Sequence, residues 1–268
     1  MIKFKSLSSG SCGNCYFLGV CDSDGRVRHS IVIDTGVSLR RAKKELQRDG
    51  IAVEEIDAVL VTHDHMDHIR SLGSWCKKLE KPVWASETLQ QALSHHTMAH
   101  PWIANCRRIL RKGETEIVPG VISARHFVVP HDATETLGYS LNLDGYRFVL
   151  ITDCGHITTE ALEEARRADT VVVEANYDLY MLRHGPYPKV LQDRICGGNG
   201  HLSNAECADS IREFLHPGLR NIFLCHLSEH NNTPELALKA ASEAIQESEC
   251  APRLIALPRQ TPLPITIL

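Results

Sequence analysis

The segment that most constrains this chain is a short apolar run followed at once by a cluster of histidines and aspartates. Residues 58–63, AVLVTH, are apolar and β-branched up to the last positions, as in a buried strand that ends in polar residues. Residues 63–68, HDHMDH, then place three histidines and two aspartates in six consecutive positions. Imidazole and carboxylate groups together favour Zn²⁺, Mn²⁺ or iron. The pattern therefore predicts a strand end that presents several metal ligands, and a polar loop with fortuitous histidines is the less favoured alternative.

Strand and helix patterns alternate along the rest of the chain. Apolar residues recur at helical spacing over 38–50 and stop at a glycine, which predicts a helix. Two more helices have clear starts, one at a capping box of Ser203 and Glu206 and one at Thr233 followed by proline. The predicted strands are 30–36, 58–63, 170–176 and 221–226, with a strand-rich middle that turns at Asp144-Gly145. The sequence thus predicts an α/β protein whose strand ends carry His and Asp at one rim.

Composition limits the class of protein. A chain of 268 residues with 43% hydrophobic content can bury a full core. The first ten residues carry charges where a signal peptide would be apolar, and no apolar run approaches the ~18 residues of a membrane span, so we expect a cytoplasmic protein without membrane association. The ten cysteines are then expected to be reduced. A net charge of −4 excludes a generally basic nucleic-acid binder, although not a local basic patch.

The HxHxDH motif at a strand end resembles the signature of the metallo-β-lactamase-fold hydrolases. Other motifs of that family follow in the expected order, including VIDTG around Asp34, VVPHDATETLGY around His131, LITDCGH around Asp153 and FLCHLS around His226. The resemblance covers most of the chain and implies an αββα sandwich, in which two mixed β-sheets are flanked by helices. We expect residues 1–268 to form one such domain. The interval from Asp153 to His226 is too short for the cap domain inserted in β-CASP nucleases.

The resemblance also implies two divalent metal ions, Zn²⁺ or Mn²⁺, with iron possible. The implied ligands of the first ion are His63, His65 and His131. The implied ligands of the second are Asp67, His68 and His226, with Asp153 bridging the two ions. Two ions ~3.5–4 Å apart can generate a bridging hydroxide at neutral pH and clamp the oxygens of a phosphoryl or carbonyl group. Asp67 could also orient the attacking hydroxide, and Asp34 would orient the histidine loop without binding metal.

The substrate class depends on other residues, because this fold serves thioesters, lactams, lactones and phosphodiesters. The segments around Glu174 and His201 resemble the phosphodiesterase branch, in which a glutamate and a histidine form a dyad near the scissile phosphate. A protonated His201 could neutralise charge or donate a proton to the leaving oxygen, and Glu174 would raise its pKa and fix its orientation. On the residues alone, a loop histidine before a helix is the less favoured alternative for His201, and Glu174 without His201 could equally be a carboxylate bound to an arginine.

Five short motifs together narrow the resemblance to the YycJ/WalJ nuclease subfamily, and these are SGSxGN, THxHxDH, EANYD, GPYP and GHLSN. The implied activity is a metal-dependent exonuclease that degrades DNA from 5′ to 3′. A DNA partner could contact the basic segments 40–44 and 107–112, although solvated faces are the favoured explanation of these segments. It could also stack on Tyr177, Tyr180 and Tyr187, which core packing explains equally well.

Two alternatives stay open. One is a hydrolase of the same fold that acts on a small cyclic phosphodiester or a thioester, and the Glu174–His201 dyad argues against the thioester. The other is a non-catalytic regulatory protein that binds metal, which a complete ligand set disfavours. The sequence does not indicate an oligomeric state.

Overall fold

Two mixed β-sheets lie at the centre of the molecule. The computed structural model describes residues 1–246 and 248–268, and within them each sheet has seven strands. Helices cover the outer faces of the two sheets. This is the architecture that the resemblance implied, with two mixed sheets flanked by helices, so the predicted fold class is confirmed.

The first sheet combines antiparallel and parallel pairs. Its strands are β1 (Ile2–Ser8), β2 (Cys15–Cys21), β3 (Val27–Ile33), β4 (Ala58–Leu60), β5 (Val83–Ala85), β6 (Arg107–Ile109) and, from the end of the chain, β14 (Thr266–Ile267). They lie in the order β14-β1-β2-β3-β4-β5-β6. The pairs from β14 to β3 are antiparallel and those from β3 to β6 are parallel.

The second sheet also has one parallel half and one antiparallel half. Its strands are β7 (Glu114–Val118), β8 (Ile122–Val129), β9 (Thr136–Leu143), β10 (Tyr146–Ile151), β11 (Thr170–Glu174), β12 (Asn221–Cys225) and β13 (Arg253–Ala256). Their order is β13-β12-β11-β10-β9-β8-β7, with parallel pairs from β10 to β13 and antiparallel pairs from β7 to β10. The turn at Asp144-Gly145 joins β9 to β10, and both residues have positive φ, 52° and 86°, as a two-residue hairpin turn requires.

The helices begin where the sequence supplies caps. They are α1 (Leu39–Gln47), α2 (Met66–Ile69), α3 (Leu72–Leu79), α4 (Glu87–His95), α5 (Thr159–Ala165), α6 (Leu179–His184), α7 (Lys189–Ile195), α8 (Asn204–Phe214) and α9 (Pro234–Gln246). The predicted capping box of Ser203 and Glu206 is present at α8. At α9 the Thr233 hydroxyl accepts a hydrogen bond from the backbone N–H of Leu236, as its capping position predicts. No helix in residues 1–246 or 248–268 has the length and apolar character needed to cross a membrane.

The core lies in two layers. The larger layer joins the facing surfaces of the two sheets, where the ring of Phe4 on β1 lies 5.5 Å from Phe148 on β10 and 4.9 Å from Phe223 on β12. The smaller layer packs α5, α8 and α9 on the outer face of the second sheet. Each buried aromatic side chain stabilises the fold by about 1.5–3 kcal/mol relative to exposure. The sheets are thereby held as a rigid support for the loops at their edges.

Candidate metal centre

The predicted ligands come together where strands of both sheets end. The residues that follow parallel strands lie at the same edge of a sheet. Strand β8 runs in the same direction as β10, because both pair antiparallel with β9. Polar side chains at or just beyond six strand ends meet at this edge, and these are Asp34, His63, His131, Asp153, Glu174 and His226. His65, Asp67 and His68 join them from α2 and its N-terminal turn.

Three histidines form the group predicted to hold the first ion. One ring nitrogen each of His63, His65 and His131 lies within 4.8 Å of the others. His131 Nδ1 is 2.9 Å from the carbonyl oxygen of Gly200, and His63 Nδ1 is 3.1 Å from the hydroxyl of Thr62. The Nε2 atoms of His63 and His131 are buried and have no hydrogen-bond partner among the described residues. Both lone pairs are therefore free to bind a cation.

The group predicted for the second ion also has converging ligand atoms, and its histidines are also held through Nδ1. One ligand atom each of Asp67, His68 and His226 lies within 4.8 Å of the others. His68 Nδ1 is 2.7 Å from a carboxylate oxygen of Asp34, and His226 Nδ1 is 2.8 Å from one of Glu174. The Nε2 atom of His226 is buried and lacks a partner in the part of the chain that the structure describes.

Asp153 lies between the two groups, which is the position predicted for a bridging ligand. Its Oδ2 is 3.3 Å from His68 Nε2, and its Oδ1 is 3.9 Å from His131 Nε2 and 3.3 Å from His226 Nδ1. Burial alone would raise the pKa of Asp153, but the charges of His226 and His68 lower it well below its ordinary value. The carboxylate is therefore ionised and reaches both histidine groups.

Asp34 has the contacts expected of a residue that orients the histidine loop. It is fully buried, and its carboxylate accepts hydrogen bonds from the backbone N–H and hydroxyl of Thr62, each at 2.8 Å, and from His68 Nδ1. Burial raises the pKa of Asp34. Because Thr62 precedes His63, one carboxylate fixes the path of the chain into the histidine cluster.

The protonation pattern of the rings fits metal binding. A carboxylate or carbonyl oxygen only accepts hydrogen bonds, so the Nδ1 atoms that face one carry a proton. In the neutral ring this leaves Nε2 as the bare nitrogen in His68, His131 and His226. Histidines that bind metals have this arrangement, with the other nitrogen held by an oxygen acceptor. The donor set of imidazoles and carboxylates suits two divalent ions.

The surroundings of the rings shift the pKa values of His63 and His226 in opposite directions. Burial lowers the pKa of His63 well below its ordinary value, so its ring stays neutral. Burial also opposes protonation of His226, but the neighbouring carboxylates of Asp153, Asp67 and Glu174 outweigh it and raise the pKa to about 10. A cation that binds here must therefore displace a proton from His226.

Glu174 contacts two histidines rather than the one that the dyad implied. Its Oε1 accepts hydrogen bonds from His201 Nδ1 at 2.9 Å and from His226 Nδ1 at 2.8 Å. Its Oε2 accepts from the backbone N–H groups of Cys154 and Leu202 at 3.0 and 3.1 Å. Burial opposes ionisation, yet His201 and His226 lower the pKa of Glu174 to about 2. The proposed acid His201 and the proposed ligand His226 thus share one carboxylate.

The Ser/Gly-rich turn between β1 and β2 reaches the centre through Asn14. The Asn14 side-chain nitrogen is 2.8 Å from His68 Nε2 and 3.2 Å from Asp67 Oδ2, and its side-chain oxygen accepts from the N–H of Gly10 at 2.8 Å. The backbone N–H of Asn14 also donates to the carbonyl oxygen of Asp67 at 2.7 Å. A β-carbon on Gly36 would lie 1.6 Å from that carbonyl oxygen, so only glycine allows this approach.

The centre opens into a cleft of about 320 Å³. Asp67, Asp153 and His201 line it, and a wall from the segment of α7 contributes Tyr187, Leu191, Arg194 and Ile195. Of the tyrosines predicted near the site, only Tyr187 lines the cleft among the described residues, since Tyr177 is buried and Tyr180 is exposed on α6.

All of the sequence-predicted site residues meet in one place, whereas several contacts around them were not predicted. Asn14 belongs to the SGSxGN motif, and this signal could have identified its side chain as well as its turn. The contact of Glu174 with His226 and the ion pair of Asp132 with Arg194 carry no sequence signal, because each joins segments more than 50 residues apart.

Comparisons with known proteins agree with this geometry. Residues 29–220 match the family model described as Beta-lactamase superfamily domain. The chain is 30% identical over 246 residues to exodeoxyribonuclease YycJ of Bacillus anthracis, covering 92% of this chain and 90% of that one. It is 32% identical over 235 residues to exodeoxyribonuclease WalJ of Streptococcus pneumoniae, covering 88% and 85%. The crystal structure of the metallo-beta-lactamase fold protein YhfI from Bacillus subtilis superposes with a TM-score of 0.68 over 98% of this chain and 100% of that chain, at 15% identity.

The family match spans most of the chain, and the metal-ligand groups lie at the strand ends that this fold brings together. The chain therefore belongs to the beta-lactamase superfamily and is a metal-dependent hydrolase with the metallo-β-lactamase fold.

Proposed function

We propose that this protein is a phosphodiesterase with two divalent metal ions that degrades DNA as a 5′-to-3′ exonuclease. The observation that carries the proposal is the position of Asp153 between two groups of ligands, in which the Nε2 atoms of three histidines have no hydrogen-bond partner among the described residues. Two relatives named exodeoxyribonuclease, each matched over 85% or more of its length, support DNA as the substrate. The polarity of digestion rests on the resemblance of the short motifs to that subfamily.

The residues proposed to hold the metal ions are those whose ligand atoms converge, and the Nε2 atoms of three of them, His63, His131 and His226, have no hydrogen-bond partner among the described residues. We assign His63, His65 and His131 to one ion, Asp67, His68 and His226 to the other, and Asp153 to both. Zn²⁺ and Mn²⁺ suit this mixture of nitrogen and oxygen ligands, and iron is compatible with it. When bound, such a pair of ions supplies hydroxide at neutral pH and positive charge for the phosphoryl oxygens.

His201 is proposed as the residue that assists the leaving oxygen. It lines the cleft and donates from Nδ1 to Glu174, which leaves Nε2 to hold the proton that can be transferred. Burial lowers the pKa of His201, but the charge and the hydrogen bond of Glu174 outweigh it and raise the pKa above its ordinary value. The protonated ring can therefore neutralise charge that develops on the phosphate or donate the proton to the leaving alkoxide.

Asp67 and Asp34 complete the proposed machinery. Asp67 faces the cleft, and its carboxylate can also accept a hydrogen bond from the attacking hydroxide and orient it. Asp34 holds His68 and the turn before His63 without reaching the cleft. We further propose that residues 1–268 act as a single domain without a β-CASP insertion, and that the enzyme works in the cytoplasm, where it can reach DNA.

A small cyclic phosphodiester is the second candidate substrate. The cleft of about 320 Å³ lies at the lower end of the range for small-molecule sites, so a single nucleotide would fill it. The same ligands and the same Glu174–His201 pair would serve this reaction.

The proposal is tested with end-labelled duplex DNA, single-stranded DNA and RNA, digested in Mn²⁺ or Zn²⁺ by the wild-type protein and by Asp67→Ala. We expect stepwise loss of nucleotides from the 5′ end of DNA, and no digestion by Asp67→Ala or with a chelator, because that variant lacks a ligand of the second ion. Loss from the 3′ end would correct the polarity. Cleavage of bis-p-nitrophenyl phosphate or of cyclic nucleotides without digestion of any polymer would favour the small substrate.

A further inference from the structure

The wall of the cleft that α7 contributes combines one cation with apolar side chains. Arg194 is the one arginine or lysine among the described residues that line the cleft. Tyr187, Leu191 and Ile195 come from the same segment, and all three are half-buried. The other charged residues of the cleft lining are the histidines and aspartates of the metal centre and its neighbour Asp132.

Arg194 is held beside the metal centre by an ion pair. Its Nε donates to Asp132 Oδ2, and its Nη2 approaches the same oxygen. The other oxygen of Asp132 is 3.4 Å from His131 Nε2, and the carbonyl oxygen of Asp132 is 3.2 Å from His65 Nε2. The guanidinium is therefore separated by a single carboxylate from the histidines proposed for the first ion.

Most of the guanidinium remains available for a ligand. Its side chain is 63% exposed, and Nη1 has no hydrogen-bond partner within residues 1–246 and 248–268. A guanidinium presents a planar fork of donors that matches the oxygens of a phosphate. A substrate with a second phosphate could thus bind Arg194 while its first phosphate lies at the metal centre.

The apolar side chains fit the rest of a nucleotide. Gln192 is buried and donates from its side chain to the carbonyl oxygen of Tyr187 at 2.9 Å, which fixes the start of α7 against the loop before it. The Tyr187 ring packs edge-on against His230 at 5.8 Å. Tyr187, Leu191 and Ile195 then form a supported apolar surface next to Arg194, and such a surface can contact a sugar or stack against a base.

We infer that this wall is a nucleotide subsite, in which Arg194 binds the phosphate adjacent to the scissile one and Tyr187, Leu191 and Ile195 contact the nucleotide that carries it. The inference rests on the proposed phosphodiesterase function and adds a determinant of substrate choice. It predicts that a phosphodiester flanked by a further phosphate is a better substrate than one without.

The test compares four substrates that share a phosphodiester but differ in flanking phosphate. These are bis-p-nitrophenyl phosphate, the dinucleotide TpT, and the dinucleotides pTpT and TpTp, with products separated by chromatography. Each is digested by the wild-type protein and by Arg194→Gln, Arg194→Lys and Arg183→Gln. Arg183 on α6 is the matched control, because it is also an ion-paired arginine, 3.0 Å from Asp193 of α7, but does not line the cleft.

We expect the wild-type protein to have a lower KM for pTpT or TpTp than for TpT. Arg194→Gln should raise the KM for that preferred substrate by about tenfold, the loss typical of one exposed charge-assisted hydrogen-bonding group. Its rates on TpT and bis-p-nitrophenyl phosphate should not change. Arg194→Lys should give an intermediate KM, since it keeps the charge and loses the fork, and Arg183→Gln should behave as wild type.

Three results would overturn the inference. Equal KM values of the wild-type protein for TpT, pTpT and TpTp would remove the subsite and leave the phosphodiesterase function intact. A loss in Arg194→Gln that is as large on bis-p-nitrophenyl phosphate as on the dinucleotides would show that the ion pair with Asp132 only holds the wall in place. Cleavage of bis-p-nitrophenyl phosphate without cleavage of any dinucleotide would overturn the DNA substrate and the subsite together.

Discussion

Replacing Glu174 with glutamine should weaken the binding of one of the two proposed metal ions and leave the affinity for the other unchanged. Glu174 accepts four hydrogen bonds, from His201 Nδ1 and His226 Nδ1 on one oxygen and from the backbone N–H groups of Cys154 and Leu202 on the other. A glutamine side chain has only one accepting oxygen. Because the backbone N–H groups can only donate, the amide oxygen must face them and the amide nitrogen must face the two rings.

This orientation reverses the protonation of the rings. An amide nitrogen donates, so Nδ1 of His226 must become an acceptor and the ring proton must move to Nε2. That nitrogen is the one proposed to bind the second ion, and its lone pair is lost. Mutation of a residue that hydrogen-bonds the other ring nitrogen of a metal-binding histidine typically lowers metal affinity by about 10–100-fold. The four hydrogen bonds also change from charge-assisted to neutral, at up to ~1 kcal/mol each, so the metal-free variant should lose about 2–4 kcal/mol of unfolding free energy.

The assay is a titration of metal-free protein with Zn²⁺ against a competing chelator, with urea unfolding of the same samples. We expect wild-type affinity for the first ion, since Glu174 makes no hydrogen bond or ion pair to His63, His65 or His131 among the described residues, and 10–100-fold weaker binding of the second.

Glu164→Gln is the matched control for this titration. The Glu164 carboxylate is 2.9 Å from Nη1 of Arg125, whose side chain is 45% exposed, so the exchange should cost less than ~1 kcal/mol and change neither ion. Two ions bound by Glu174→Gln with wild-type affinity, or both weakened equally, would refute the reasoning about ring protonation.

Three further predictions concern other parts of the molecule. His201→Ala should lower turnover by about 10²-fold or more while metal content, measured by elemental analysis, stays at the wild-type level, and metal loss as large as in His226→Ala would contradict its proposed role. Gly36→Ala should lower the melting temperature and the metal content, because its β-carbon would overlap the Asp67 carbonyl oxygen, whereas Gly198→Ala, with open space at its β-carbon, should match wild type in the same scans. Burial raises the pKa of Glu164, but hydrogen bonds from Ser140 and Arg125 outweigh it and lower the pKa below its ordinary value, so the stabilisation from this carboxylate is complete above the unfolded pKa of ~4.3 and is lost as the pH falls from there through the lower pKa of the folded state. The melting temperature of metal-free wild-type protein should therefore exceed that of Glu164→Gln by ~1–3 °C at pH 7 and by less at pH 3.5, and a constant difference would count against the assignment.

The strands and their terminal residues were predictable because their signals are local. The apolar run before His63 and the short runs before Asp34 and His226 each predict a buried strand, and the polar residue marks its end. The hairpin turn and the helix caps carry signals of the same kind. The choice of ligands beyond the HxHxDH motif depended on the family resemblance, since His131 and Asp153 lie in segments with no histidine-rich pattern of their own.

The contacts that support the ligands could not be predicted from such patterns. Asn14 contacts Asp67, which lies 53 residues later in the sequence, and Glu174 contacts His226, which lies 52 residues later. Whether these contacts form depends on how the edges of the two sheets meet and on the path of each loop. Periodicity reports which face of a strand is buried, and it carries no information about which loop lies opposite.

Three residues of the site, each just after a strand, have an unusual backbone conformation with positive φ. Among the described residues, five that are not glycine have positive φ, and Glu80 and Asp144 are explained by a helix end and a hairpin turn. The other three are Asp34, Asp153 and His226, with φ of 61°, 52° and 53°. No hairpin or helix end requires that conformation there, and it is rare for residues with a β-carbon. What these residues share is a carboxylate or imidazole turned toward the centre, so the strain accompanies the orientation of ligands and of the residue that positions them.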